Sequence, residues 1–278
     1  MDLDWFQSVI YSFLSGLTDI LPVSAQAHKL LLLKFFGVKN SAPLMELFIH
    51  IGIFAALYFH SRVHIVRMSR ARALSRIPKR KRKRPLDMKS MMDLSFLKTT
   101  LLPVVLGLFL YQYTQQWSKS LIFLSLFLFI NGIILYAPQF FPTGNRDSRT
   151  LSRVEGLLMG LGSMTAILPG MSSIGAATSI ASICGMDRTY SLSMALLMNL
   201  FLMLGFMVYD LLAIVGQGIG AVTAAALLRY LLASACAYGG TSLGIKAMRR
   251  LSESKGYALW GFYCFGLALF TFILNLMA

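Results

Sequence analysis

The chain has 278 residues, of which 56% are hydrophobic and 13% charged, and its mean hydropathy is +0.67. Soluble domains carry about 25% charged residues, so a single water-bathed globule is excluded and lipid must be the second solvent. The net charge of +15 would point a soluble chain to nucleic acid, but no soluble reading module is present. The charge is instead concentrated between residues 61 and 90, where Arg62, Arg67, Arg70, Arg72, Arg76, Lys79, Arg80, Lys81, Arg82, Lys83, Arg84 and Lys89 face the single acid Asp87. A cytoplasmic loop lying on anionic headgroups explains that run, and no nucleic-acid partner is expected.

Asp2 and Asp4 stand where a signal peptide would carry Lys or Arg, so the first apolar segment is expected to stay in the mature protein. That segment, 6–36, is interrupted at Pro22 and predicts a broken, re-entrant pair of short helices. A full span follows at 43–59, then the basic loop 60–94 and spans at 95–112 and 118–138. A second broken segment at 154–184 centres on Pro169, and spans at 189–215, 220–246 and 256–277 complete the chain. The expectation is six spans of about 20 residues and two re-entrant pairs. Cys184, Cys236 and Cys264 stand singly in apolar stretches and read as packing residues.

The interruptions matter because proline frees a carbonyl that lipid cannot satisfy, so such backbone survives only within protein or against a wet cavity. The two breaks also resemble each other. Thr18-Asp19-Ile20-Leu21-Pro22-Val23-Ser24 and Thr165-Ala166-Ile167-Leu168-Pro169-Gly170-Met171-Ser172 share T-x-I-L-P with a serine shortly after it. Placing residues 60–94 in the cytoplasm brings Arg146, Arg149, Arg153, Arg188, Lys246, Arg249, Arg250 and Lys255 to the same side, and makes the two broken segments enter from opposite faces. The expected architecture is therefore an all-α polytopic membrane protein, one domain over 1–278, with an inverted-topology repeat: roughly 1–138, including the basic loop, and roughly 154–278.

After each proline a short helix can restart, with Ser24 and Ser172 as N-caps and a dipole that favours an anion. Asp19, His28, and the pair Glu46 and His50 at i and i+4 lie nearby in sequence. A charge at a helix centre costs about 2.5–3.5 kcal/mol on insertion scales, so this concentration needs a purpose. Asp19, His28, Glu46 and His50 supply the acid, base and metal-ligand types of phosphoryl hydrolysis, with Asp19 and Glu46 as candidate metal ligands, and equally the types a proton or cation transporter uses. Asp210, alone near a span end, reads as interfacial.

The run Gly16-Leu17-Thr18-Asp19-Ile20-Leu21-Pro22-Val23-Ser24-Ala25-Gln26-Ala27-His28 resembles the E-G-L-T-E-F-L-P-V-S-S-T-G-H signature of the undecaprenyl-diphosphate phosphatases of the bacitracin-resistance type. Leu168 to Thr178 is similar to that family's P-G-x-S-R-S-G-A-T, and Glu46 to Gly52 to its E-x-x-x-[QH]-x-G. The resemblance implies removal of the terminal phosphate of a C55 isoprenyl diphosphate in a bacterial plasma membrane, regenerating the lipid carrier of cell-wall synthesis, with a divalent cation, Mg or Ca, and no organic cofactor. Its partners would be the polyprenyl lipid and the bilayer, with a homodimer as an open assembly. It carries catalytic roles onto Asp19, His28, Ser24 and Ser172, and substrate contacts onto Thr18, Gln26, Lys29, Gly170, Ser173, Thr178, Glu46 and His50.

The chain departs from the pattern where Ser15 replaces the first glutamate, Ala25 the second serine, Gln26 the threonine and Ser173 the arginine. A lost preorganised donor typically costs about 2.7–4 kcal/mol in the transition state. Reduced or altered turnover is expected unless Lys29 refills the site with a cation. The alternative reading is a weakened relative that binds or translocates polyprenyl phosphate or another amphiphilic anion, since broken helices in inverted repeats are also transporter architecture. A membrane partner subunit that docks through the basic loop is a third.

Overall fold

The computed structural model describes residues 3–217, 223–253 and 257–277, so that Asp2 and Lys255 fall outside the described residues. Every long element is a helix: α1 (Trp5–Ile20), α2 (Ala25–Phe35), α3 (Pro43–Ser75), α4 (Met88–Thr114), α5 (Leu121–Tyr136), α6 (Arg153–Met164), α7 (Ser173–Ile183), α8 (Arg188–Gln217), α9 (Ala224–Glu253) and α10 (Tyr257–Leu276). The two proline-centred segments are helix–break–helix units as expected. The first breaks over 21–24 and the second over 165–172, where a short 3-10 turn precedes Pro169.

Among the described residues, five helices are long and apolar enough to cross a membrane: α3, α4, α5, α8 and α10. The expected sixth, α9, has the length but not the hydropathy. It packs on α1 and α3 through small residues such as Ala233 and Ala237, both buried, and tight approach is bought there at the expense of apolar bulk. A Cβ on Gly16 of α1 would run into the carbonyl of Ala237, and one on Gly240 of α9 into that of Phe13.

The basic segment is mostly helix, where a loop was expected. α3 continues through Arg62, Arg67, Arg70 and Arg72 because Arg, Ala, Met and Leu favour helix and no breaker intervenes before Pro78. Only residues 76–87 lie between α3 and α4, and they include one short 3-10 turn.

The packing is paired. α1 lies on α9 as α6 lies on α4, while α3 meets α8 and α5 meets α10. The main core joins residues of α1, α3, α4 and α6 to α9, and a smaller cluster of Ala27, Leu121, Leu124, Leu128 and Ala268 seats α2 on the α5–α10 pair. Outside, Leu102, Phe109, Ile133, Leu212 and Phe270 are exposed, the apolar surface that lipid would cover. Cys184, Cys236 and Cys264 are free thiols.

Candidate active site

The two breaks meet, and each supplies what the other lacks. Ser24 caps α2 by accepting from the Ala27 amide at 3.2 Å, and its Oγ also accepts from the Gly170 amide in the second break at 3.1 Å. Ser172 caps α7 by accepting from the Gly175 amide at 3.1 Å, and its hydroxyl donates to the Leu21 carbonyl in the first break at 3.2 Å. Other side chains answer the remaining freed carbonyls. Gln26 Nε2 donates to Ala166 O at 3.2 Å, Thr114 Oγ1 to Ile167 O at 2.7 Å, and the Cys264 thiol to Pro22 O at 3.8 Å. Cys264 is thus more than packing. Gly170 has φ +103, and a Cβ there would run into the α5 backbone at Leu124 O and Leu128 N, so both conformation and space require glycine.

Beside this junction lies a cavity of about 710 Å³, lined among others by Asp19, Lys29, Glu46, His50, Asn199 and Asp210. Its polar side chains are held in place. Lys29 Nζ sits 2.7 Å from Glu46 Oε2, while Glu46 Oε1 accepts from Tyr11 at 2.6 Å and from Ser41. Asn199 Nδ2 donates to Asp19 Oδ2 at 2.7 Å. His50 Nδ1 lies 2.6 Å from Asp210 Oδ2, an ion pair if the ring is protonated. Ala25, Gln26, Met171 and Ser173 bring the start of α2 and α7 to the wall, where first-turn amides have no intrahelical acceptor. One oxygen of Gln26, Oε1, is buried without a partner.

The structure brings Asp19, Gln26, Lys29, Glu46, His50, Ser172 and Ser173 to one cavity and leaves the other expected residues out of its wall. Ser24 is fully buried in the junction. His28 turns toward α10: Nδ1 meets Ser24 O at 2.6 Å, Nε2 meets the Tyr263 hydroxyl at 2.7 Å, and the two rings stack. Thr18 and Thr178 bond back to Leu14 O and Ile174 O of their own helices. Gly170 contributes its amide to Ser24 and does not line the wall.

Asp210, which the sequence suggested as an acid near a span end, stands in the cavity against His50. Sequence reasoning also missed Tyr11, Tyr111 and Asn199, which line or brace the site. A signal for two of these residues existed. Asn199, Met203, Phe206 and Asp210 recur at steps of four, three and four, one face of α8.

The implied divalent cation does not fit the donors present. Both oxygens of Glu46 are engaged by Lys29, Tyr11 and Ser41, and Asp19 gives one oxygen to Asn199. Among the described residues, no three His, Cys, Asp or Glu side chains converge on one point. Glu46 serves the lysine.

The chain matches known proteins along nearly its full length. It is similar to the undecaprenyl-diphosphatase of Methanobrevibacter smithii, 28% identical over 276 residues covering 98% of each chain. It is similar also to undecaprenyl-diphosphatase 1 of Shouchella clausii, 26% identical over 272 residues covering 96% of this chain and 95% of that one. A third relative, the undecaprenyl-diphosphatase of Desulforapulum autotrophicum, is 23% identical and matched over its entire length. The profile described as bacitracin resistance protein BacA covers residues 8–270, taking in both breaks, the Lys29–Glu46 pair and the His50–Asp210 pair, and the chain belongs to that family.

Proposed function

We propose that the chain hydrolyses a polyprenyl diphosphate, undecaprenyl diphosphate in the first place, to the monophosphate lipid carrier of cell-wall synthesis. One observation carries the reading: two short helices open on one polar cavity that holds Lys29 and Asp19, in a chain aligned end to end with undecaprenyl-diphosphatases. Ala25, Gln26 and Ser173, in the first turns of the two helices, line the volume a diphosphate would fill, where unpaired first-turn amides favour an anion. Lys29 takes the charge that the family pattern assigns to an arginine at Ser173. As a point charge it clamps with less geometric control than a guanidinium fork, and slower turnover follows.

The same proposal includes the inverted repeat, with α1–α5 matching α6–α10. The pairing of α1 with α9 and of α6 with α4 supports it, as does the self-pairing of α3 with α8 and α5 with α10. α9 is its sixth span, counterpart of α4. The cavity sits at the end of α3 near Glu46, and Arg70 lies 24 residues further along that helix, about 36 Å at 1.5 Å per residue. With the basic segment in the cytoplasm, the lining residues Lys39, Asn40, Gln112 and Gln116, before the start of α3 and around the end of α4, lie toward the outer side.

The test is phosphate release by the purified chain from undecaprenyl and farnesyl diphosphate, in Mg²⁺, in Ca²⁺ and in chelator, beside Asp19→Asn. Release by the unaltered chain, lowered by about 10²–10³-fold in the variant, is expected. No release from folded protein under any of these conditions overturns the reading.

A further inference from the structure

Two departures from the family pattern remove opposite charges from one cavity. Ser15 stands where the pattern has glutamate and Ser173 where it has arginine, and both line the wall. Neither hydroxyl turns to Asp19: Ser15 Oγ donates to Tyr11 O of its own helix at 2.6 Å, and Ser173 Oγ lies 2.9 Å from Ser163 Oγ. Asp19 is held from α8 instead. Asn199 Nδ2 donates to Asp19 Oδ2 at 2.7 Å across 180 residues of chain, and among the described residues no other group hydrogen-bonds to that carboxylate. We propose that Asn199 is the positioning residue of Asp19, holding Oδ2 so that Oδ1 is presented to the diphosphate. This rests on the phosphatase reading and on the catalytic role that the family signature carries onto Asp19.

A carboxylate on a free side chain swings about two torsions, the terminal one broad. A hydrogen bond removes that freedom only if its donor is itself fixed. Asn199 is 1% exposed and sits among Leu197, Met198 and Leu200 in α8, a helix packed on α3, α4 and α7. An amide at such a place is costly unless it is paired, and the pair it makes is with Asp19.

The chemistry of the donor suits a polyanionic substrate. A second carboxylate beside Asp19 would repel the diphosphate, and a lysine would engage Asp19 in an ion pair as Lys29 engages Glu46. The neutral amide restrains one oxygen, adds no charge and leaves the other oxygen open to the cavity that Asp19 and Asn199 both line. A reacting group misplaced by about 1 Å costs on the order of 10²-fold in rate, so the restraint is felt in turnover rather than in binding.

The test uses farnesyl diphosphate and the full chain in detergent, with rates expressed per folded protein as judged by thermal unfolding. Asn199→Leu, an apolar residue of similar size, is expected to lower kcat by about 10–100-fold and to leave KM within about threefold. Asn199→Ser, too short to reach Oδ2, gives the same result and serves if the leucine variant does not fold, whereas Asn199→Gln, which keeps the amide on a longer arm, recovers part of the loss. In an Asp19→Asn background, Asn199→Leu or Asn199→Ser lowers kcat by no more than about twofold further, because the asparagine acts through that carboxylate. Unchanged kcat in the folded variants, a loss borne by KM alone, or a full further loss in the Asp19→Asn background each overturns the assignment. No release by the unaltered chain overturns the phosphatase reading and this assignment together, whereas release that survives the loss of Asn199 unimpaired overturns this assignment alone.

Discussion

Lys29 stands beside a carboxylate shared by three donors, and that arrangement sets what each substitution costs. Lys29→Met leaves Glu46 buried without its countercharge, a change that typically costs about 3–5 kcal/mol. Thermal unfolding in detergent should show the loss, and Lys29→Met with Glu46→Gln should recover most of it. Phosphate release should stay about 10²–10³-fold down in both, because the cation is missing from the clamp; a double variant with restored activity would remove Lys29 from the site. His28→Ala should behave differently. It loses two bonds at about 1 kcal/mol each and should keep kcat within about tenfold in the same phosphate assay. The sequence made Lys29, Glu46 and His50 visible because ionisable groups in apolar helices are expensive, whereas the partner of His50 lies 160 residues away and only the spacing along α8 hinted at it.

At the level of elements, the two breaks were legible from proline and the serine that follows it, and their boundaries fall close to where the apolar regions start and stop. What could not be read was that each serine also serves the opposite break, since Ser24 and Gly170 are 146 residues apart. Ser24→Ala and Ser172→Ala should each cost about 0.5–2 kcal/mol for the lost cap, with the pair non-additive because both serines tie one junction. A double-mutant cycle by thermal unfolding measures this, and strict additivity would show two independent caps. The reach of α3 beyond its apolar part was missed because the charge pattern marked an aqueous segment, and Arg-rich sequence favours helix in water as well.

For the whole molecule, the distribution of charge argues for a basic segment in the cytoplasm, and the proposed orientation then turns the cavity outward. Cysteine placed at Gln116, which lines the cavity just past α4, and at Arg80, in the basic segment, should react with an impermeant maleimide from opposite sides of the membrane in oriented vesicles. Labelling of both from one side would invalidate the orientation. The reciprocal serine bonds have a further consequence. A carrier that exposes its cargo alternately to two leaflets must rock one half against the other, and doing so here would strip Gly170 N of its acceptor, at about 1–3 kcal/mol for a buried donor left unmet, and leave Leu21 O with the Val23 amide alone. Those two bonds weigh against a passage through which a lipid is ferried and suit a vessel in which a bond is cut.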